Sequence, residues 1–473
     1  MVAFILPANS ASSGGDFVTN SLRFNDSDAA FISRTPSETN KKTWTWSAWI
    51  KRSDITTAQN LLTAGNDVNN RCHLDINASG TFQVEAKNGG TSVMKCEGGR
   101  HLRDPNAWMH LVWRVDTTQG TASDRMRIYI NGAQFTFSSN SFPDQNINME
   151  MNVNVLHAIG KRTWADQNYY DGYLAEVHFV DGTSTAPTVF GEYNDNDVWI
   201  PKDCKDDITY GTNGYYLQFK ETGTGTNSSG MGADTSGNNN HFAVSGFTAL
   251  DITTDTPMNN FCTLNSLDTY ASSGGVLSEG NLKLAVTTGE LHTAVGTIAP
   301  TKGKWYWEIM LDNTDGSNPS GLGITNLDED DKSNMPSKKT WGFGYMASTG
   351  NKQNNANNSS YGNSYTSNDK LSVAMDLDNG AVYFAKNGTF QASGDPTSGA
   401  SKTNAAFTFT TGGSYAPWIA DNTSGVAFTW LANFGNPPFS GTDKSDANGF
   451  GSFEYTVPSG YFALCTRNLA QYG

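Results

Sequence analysis

Two segments of the chain carry residues suited to the recognition of sugars. Aromatic side chains can stack on pyranose rings, while Asn side chains hydrogen-bond to hydroxyl groups beside them. Both segments have the composition of loops, and loops on a rigid scaffold are where binding sites concentrate. Such side chains also pack against a neighbouring strand or subunit, and that alternative stays open. The predicted ligand-binding residues are Trp164, Asn168, Tyr169 and Tyr170 in the first half, and Asn357, Tyr361, Asn363 and Tyr365 in the second.

Catalytic carboxylates are not evident in the sequence. Retaining glycoside hydrolysis needs two carboxyl groups about 5 Å apart, which an alternating acidic strand can supply. Asp376 and Asp378 alternate in this way, but they precede a turn and we expect them to point outward. No nucleophile elbow precedes a helix, and we expect His110 and His178 at surface or interface positions. We therefore predict no catalytic residues and no enzyme.

Metal and cofactor sites are not predicted either. Residues 327–332 and 166–171 are acidic segments, and oxygen-rich loops can bind calcium. The first has no EF-hand spacing, so we interpret it as a solvated acidic loop, and the second is a weaker candidate. The cysteines form no CxxC pair, which indicates free thiols and assembly in a cytosol. They are Cys72, Cys96, Cys204, Cys262 and Cys465.

The composition excludes several classes of partner. The net charge is −15, with 46 acidic and 31 basic residues, and no cluster of Lys and Arg exists that could neutralise phosphates. We therefore expect no nucleic-acid binding. No run of about 18 apolar residues is present, so no membrane span is expected. The apolar run near the N-terminus follows no basic residue, which argues against a secretory signal.

Short strands joined by tight turns are the elements that must position these loops. Asn131-Gly132 and Asn387-Gly388 each lie between alternating apolar residues, and Asn-Gly favours the two-residue turn of a β-hairpin. Period-two alternation also predicts half-buried strands whose tryptophans lie in the core. These tryptophans are Trp44, Trp46, Trp113, Trp305 and Trp307.

The patterns divide the chain into two β-sandwiches. We predict an N-terminal arm at residues 1–20, a first sandwich at 21–200 and a second at 261–473. Between them, residues 201–260 have a looser pattern rich in Gly, Thr, Asn and Ser, which indicates a linker, with one possible strand at 215–219. The predicted fold class is all-β, with two tandem antiparallel sandwiches.

Each half resembles a known family. Residues 44–50, 107–113, 127–132 and 172–177 resemble, in that order, the laminin-G or concanavalin A-like jelly rolls. The second half is similar to SPRY domains, through residues 303–309, 321–324, 341–345, 373–388, 415–418, 433–435 and 461–464. The first resemblance implies a jelly-roll sandwich and the second a SPRY-like sandwich. Neither family implies one class of ligand.

The combination, with its opening residues 4–10 and 21–25, is similar to structural proteins of marine tailed bacteriophages. That resemblance implies a virion protein, as a capsid decoration, spike or tail fibre component, assembled in the bacterial cytoplasm. Its expected partners are other virion proteins, further copies of the same chain and a host surface glycan or protein. The alternatives are a cement protein without a receptor and a polysaccharide-binding hydrolase.

Overall fold

The chain folds into two compact units, Ser12–Met258 and Asn259–Gly473. The computed structural model describes residues 17–271, 275–286, 291–313, 320–328, 334–422 and 427–473, so most of the predicted N-terminal arm lies outside the described residues. Each unit consists of antiparallel sheets with a shared core. The predicted fold class, two tandem β-sandwiches, is confirmed.

The first unit contains two large sheets. Sheet 1 has the strand order β10-β9-β8-β3-β13-β1-β18, with β16 beside β13, and sheet 2 has the order β11-β7-β6-β5-β4-β12-β2-β17. The strands are β1 (Ser21–Phe24), β2 (Phe31–Arg34), β3 (Thr43–Arg52), β4 (Gln59–Gly65), β5 (Arg71–Ile76), β6 (Phe82–Asn88), β7 (Thr91–Gly98), β8 (Met109–Asp116), β9 (Met126–Ile130), β10 (Ala133–Gln134), β11 (Ser139–Ser141), β12 (His157–Ile159), β13 (Gly172–Asp181), β14 (Gly191–Tyr193), β15 (Trp199–Pro201), β16 (Tyr215–Leu217), β17 (Ala243–Ser245) and β18 (Ile252–Thr253).

Alternation builds the core between these sheets. Trp44 and Trp46 on β3 point inward with Trp113 on β8, and the rings of Trp44 and Trp113 meet edge to face with their centroids 4.7 Å apart. All three are fully buried, as predicted. Aromatic side chains of this size supply much of the apolar area that a sandwich must bury.

The second unit has the same architecture, with two large sheets around a core. Its sheets have the orders β19-β22-β32-β24-β25-β26-β27 and β20-β21-β33-β23-β28-β29-β30, and Trp305 and Trp307 on β23 are buried between them as predicted. Helix α1 is Thr466–Tyr472. The strands are β19 (Leu264–Ala271), β20 (Gly275–Ser278), β21 (Lys283–Val286), β22 (Leu291–Gly296), β23 (Lys304–Asn313), β24 (Ser320–Asn326), β25 (Gly342–Met346), β26 (Asn351–Asn354), β27 (Asn357–Ser360), β28 (Asp369–Asp376), β29 (Ala381–Lys386), β30 (Thr389–Phe390), β31 (Phe407–Thr408), β32 (Tyr415–Asn422), β33 (Phe428–Asn433) and β34 (Phe462–Ala463).

Both predicted hairpins are present. Ile130 pairs with Ala133 around Asn131-Gly132, and Lys386 pairs with Thr389 around Asn387-Gly388. The φ angles are 48° and 76° in the first turn and 47° and 78° in the second. Positive φ at both central residues defines a type I′ turn, which matches the twist of the flanking strands.

The predicted linker is wrong, because residues 201–258 belong to the first sandwich. β16 pairs with β13 in sheet 1, β17 pairs with β2 in sheet 2, and β18 pairs with β1. The strand expected at residues 215–219 is therefore present as Tyr215–Leu217. The glycine-rich composition reflects the turns between these short strands rather than a free connection.

Candidate ligand-binding site

Strand β5 carries polar residues on the outer face of sheet 2. Arg71, His73 and Asp75 point outward, since the alternate residues Cys72 and Leu74 lie in the core. Neighbouring β6 brings further polar side chains to the same face by antiparallel pairing. The result is a polar patch on the outer face of sheet 2, in which His73, Asp75 and Glu85 are less than a tenth exposed.

Two ion pairs cross this patch. The Arg71 guanidinium donates to Glu85 at 2.6 Å, and the Arg162 guanidinium donates to Asp75 at 3.1 Å. Glu85 lies opposite His73 in the β5–β6 register, which puts it one diagonal step from Asp75. Burial raises the pKa of Asp75 to about 7, against the opposing effect of Arg162. At neutral pH this carboxyl is therefore partly protonated.

Trp164 lies over this patch from the loop between β12 and β13. Its ring is 5.1 Å from the His73 ring, between centroids, and the guanidinium carbons of Arg71 and Arg162 lie 4.8 Å and 5.6 Å from its centre. The Trp164 side chain is half-exposed. We call the group Arg71, His73, Asp75, Glu85, Arg162 and Trp164 the Trp164 site.

Several buried polar atoms in and next to the site have no hydrogen-bond partner among the described residues. They are both ring nitrogens of His73, Oδ1 of Asn60 and Oγ1 of Thr163. Nε2 of His73 lies 3.6 Å from Oδ2 of Asp75, just beyond hydrogen-bonding distance. His73 is 1% exposed, and burial together with the nearby guanidinium groups holds its pKa well below the usual range, so its ring is neutral.

The first predicted set is only partly assembled here. Trp164 belongs to the site, and the backbone oxygen of Asn168 accepts from the Asn60 N–H at 2.9 Å. Tyr169 is half-buried and donates to Asp166. Tyr170 is fully buried, with its hydroxyl donating to the Lys51 carbonyl at 2.9 Å, so its predicted role in ligand binding is corrected to a core role.

The second predicted set contains core residues too. Tyr365 is 3% exposed and its hydroxyl donates to the Tyr345 carbonyl at 2.7 Å, which excludes it from ligand stacking. The Tyr361 hydroxyl donates to the Phe384 carbonyl at 3.3 Å, and its ring packs on the core. Asn357 and Asn363 are exposed, but no aromatic ring of this set is free beside them. The packing alternative describes these tyrosines.

Comparison with known proteins assigns a family to part of each unit. Residues 25–190 match the family described as the concanavalin A-like lectin/glucanases superfamily. Residues 304–413 match the SPRY domain. We call the unit that contains the first match the concanavalin A-like module and the unit that contains the second match the SPRY module. The predicted order of modules is confirmed, and the Trp164 site lies within the first match.

Several solved structures are similar to parts of the chain. A putative carbohydrate binding protein from Bacteroides ovatus is 18% identical, with 48% of this chain and 58% of that chain covered and a TM-score of 0.32. The SPRY domain of human HERC1 is 15% identical, with coverages of 36% and 96% and a TM-score of 0.29. A pentraxin from Limulus polyphemus is 12% identical, with coverages of 40% and 94% and a TM-score of 0.29. No curated protein matches the chain.

His110 and His178 of the concanavalin A-like module are buried, which corrects the surface positions predicted for them. They do lie on the outer face of sheet 1, but Trp199 and Tyr216 cover that face. His110 Nδ1 accepts from the Trp199 indole at 3.0 Å, so its Nε2 carries the proton and donates to Ser47 at 2.8 Å. A serine activated by a general base needs the opposite direction, so this contact is structural.

The acidic residues singled out in the SPRY module are structural as well. Asp376 is fully buried and pairs with Lys304 at 3.0 Å, which corrects its predicted outward position. Asp378 accepts from the Gly303 N–H at 2.8 Å. Asp328 accepts from the Ser414 N–H at 3.2 Å, whereas residues 329–332 of the acidic segment lie outside the described residues.

Three further features of the described residues concern metal ligands, membrane-spanning helices and cysteines. No group of three or more His, Cys, Asp or Glu there is arranged to hold a metal ion. No helix in that part of the chain is long and apolar enough to cross a membrane. All five cysteines are buried free thiols, as predicted.

Proposed function

We propose that the chain is a non-enzymatic binding protein whose concanavalin A-like module holds a glycan at the Trp164 site. The observation that carries this proposal is a half-exposed indole with the guanidinium carbons of Arg71 and Arg162 at 4.8 Å and 5.6 Å from its centre. Such a combination offers a surface for a sugar ring and hydrogen-bond donors for its oxygen atoms. The match of residues 25–190 to a lectin-containing superfamily supports it.

The charges of the site favour an acidic glycan. Arg71, Arg162 and Lys87 face the carboxylate of Glu85 and the partly protonated Asp75. The balance at this site is therefore positive, on a chain whose net charge is −15. A sugar carboxylate would meet guanidinium groups, whose planar donors suit carboxylates. Neutral glucans would lack that contribution.

Hydrolysis is the second candidate function, and one observation favours it. The raised pKa of Asp75 suits a general acid, and Glu85 lies diagonally across the same two strands. Against it, each carboxyl is already bound by an arginine and is less than a tenth exposed. Incubating the chain with the bound glycan and measuring new reducing ends distinguishes the two functions, and we expect none to form.

The binding protein is, in this proposal, part of a phage virion. The resemblance to marine tailed-phage structural proteins supports this, as does the buried, unpaired state of all five thiols. Homo-oligomers on one particle would present many Trp164 sites, so weak contacts would gain avidity through their effective concentration. A purely structural cement protein is the alternative, in which neighbouring subunits would cover Trp164.

A glycan array tests the binding proposal. We expect the wild-type chain to retain uronate-containing oligosaccharides, and Trp164→Ala to weaken retention at least about tenfold, because stacking is lost. Tyr193→Ala is the matched control, since Tyr193 is 55% exposed and lies in β14, away from the site. Equal retention of Trp164→Ala and wild type would exclude this site.

Cryo-electron microscopy of the native particle tests the virion proposal. An outward-facing Trp164 site supports attachment. A site buried against capsid or tail neighbours would indicate cement, and absence of the chain from purified particles would reject the virion assignment.

A further inference from the structure

A lysine and an aspartate form a fully buried ion pair inside the first unit. Nζ of Lys51, on β3, lies 2.8 Å from Oδ2 of Asp255, which follows β18, and both side chains are 0% exposed. The two residues are 204 positions apart in the sequence. This ion pair therefore joins an early strand to the last segment of the unit.

Aromatic side chains lie next to this pair. Trp49, Trp108 and Tyr173 form a buried cluster with Met258, and the Lys51 nitrogen is 5.3 Å from the centre of the Tyr173 ring. Charges are costly in such a setting. One proton transfer along the existing hydrogen bond converts the pair into a neutral amine and a carboxylic acid. A desolvated lysine amine is a nucleophile.

The Asp255 carboxyl group also accepts a hydrogen bond that polarises it. The Trp108 indole N–H donates to Oδ1 of Asp255 at 2.9 Å. When a nucleophile adds to the carboxyl carbon, negative charge develops on this oxygen, and a fixed donor in a water-poor site stabilises it. The amine, the carboxyl group and the donor are thus held together before any reaction.

We propose that Lys51 and Asp255 form an intramolecular isopeptide bond. Nζ of Lys51 attacks Cγ of Asp255, a C–N bond forms, the C–OH bond breaks and one water molecule leaves. The neutral amine carries two protons: one stays on the amide nitrogen, and the other passes to the departing hydroxyl, which leaves as water. No oxidant or reductant is required. The bond would close a loop containing β3 to β18.

Intact mass spectrometry of the denatured full chain decides the proposal. We expect the wild-type chain to be lighter than its sequence by one water molecule. A tryptic digest should contain peptide 43–52 joined to peptide 221–283 through Lys51. A wild-type mass equal to the sequence mass, with the two peptides separate, would overturn the proposal, and this result does not depend on whether any variant folds.

Variants assign the roles of the individual groups. Lys51→Arg keeps a buried cation but cannot form the amide, so we expect its full sequence mass. For Trp108→Phe, which removes the indole donor to Oδ1 of Asp255, we expect a slower loss of water in freshly made protein, and an unchanged rate would exclude that polarising role. These readouts are independent of glycan binding.

Discussion

At the scale of single residues, buried titratable groups tie the stability of the first unit to pH. Glu176 lies in β13 with a φ of 49°, at a break in the β3–β13 register, and accepts a hydrogen bond from the Tyr216 hydroxyl. Burial raises its pKa from 4.5 to about 8. The folded chain therefore keeps a proton that the unfolded chain has already lost.

The first prediction concerns this proton. The contribution of Glu176 to stability is fully present below about pH 4.5 and is lost as pH rises to about 8. We expect Glu176→Gln to flatten that decline, because an amide does not ionise. Urea denaturation across this range measures it, with Glu192→Gln as an exposed control. An identical decline in wild type and Glu176→Gln would contradict the assignment.

The second prediction concerns the acid side. Burial lowers the pKa of His110 and His178 to about 3 and that of His157 to about 4. Neutral imidazoles in the fold give stability that is present above the unfolded value of 6.5 and is lost as pH falls. We expect the NMR signals of His110 to stay constant from about pH 8 to about pH 5. A titration near 6.5 would show that this ring is exposed.

The third prediction separates core from ligand roles in the SPRY module. Tyr365→Phe removes one hydrogen bond and should cost about 1 kcal/mol of the free energy of unfolding. Tyr365→Ala should cost about 3 kcal/mol or more, because it leaves a cavity. Denaturation of both variants measures this series. If both were as stable as wild type, the core assignment would fail.

At this scale the sequence named Trp164 as a candidate, and its role in ligand binding stays a prediction, whereas the residues around it were not named. Alternation in β5 shows which side chains face outward, and charged ones suggest only a solvated surface. The meeting of Asp75 with Arg162 depends on the loop between β12 and β13, which returns across β4 and β5. No pattern in the local sequence indicates that this loop crosses β4 and β5. Tyr170 and Tyr365 lie in loops, but they are buried because distant strands pack over them, which the local sequence does not indicate.

At the scale of elements, the two type I′ hairpins are the clearest success of sequence reasoning. An Asn-Gly pair specifies both turn type and register, so no distant information is needed. The strands of residues 201–258 lacked such a signal. β17 and β18 are only three and two residues long, and their pairing partners are β2 and β1. Strands this short show no measurable period.

The fourth prediction concerns the first hairpin. A Cβ at Gly132 would lie 2.4 Å from the Trp199 ring, and the residue has a φ of 76°. We expect Gly132→Ala to lower the free energy of unfolding by roughly 2–3 kcal/mol, through strain and the displacement of Trp199. Gly412→Ala is the control, because Gly412 has a φ of 94° with no atom within 4 Å and tests the backbone strain alone. If urea denaturation showed equal losses of unfolding free energy in the two variants, the displacement of Trp199 would not contribute to the cost.

At the scale of the whole molecule, the outer faces of the two sheets in the first unit differ in how far other segments cover them. Sheet 1 is covered by its own chain, through Trp199, Phe190 and Tyr216. Sheet 2 keeps its polar patch, with Trp164 half-exposed. Composition and charge alone could not show which face is covered. The covering segments explain why β14 to β16 follow the strands that complete the predicted sandwich.

The ends of the first unit lie side by side, since Ser21 at the start of β1 pairs with Thr253 at the end of β18. A mechanical pull along the chain would therefore enter and leave at one point and peel these two strands apart. Two residues further on, Asp255 is fastened to Lys51. If Lys51 and Asp255 are joined by a covalent bond, the force passes directly from β3 to Asp255, and residues 52–254 bear none of it. The module would then act as a short tether whose Trp164 site keeps its shape under tension.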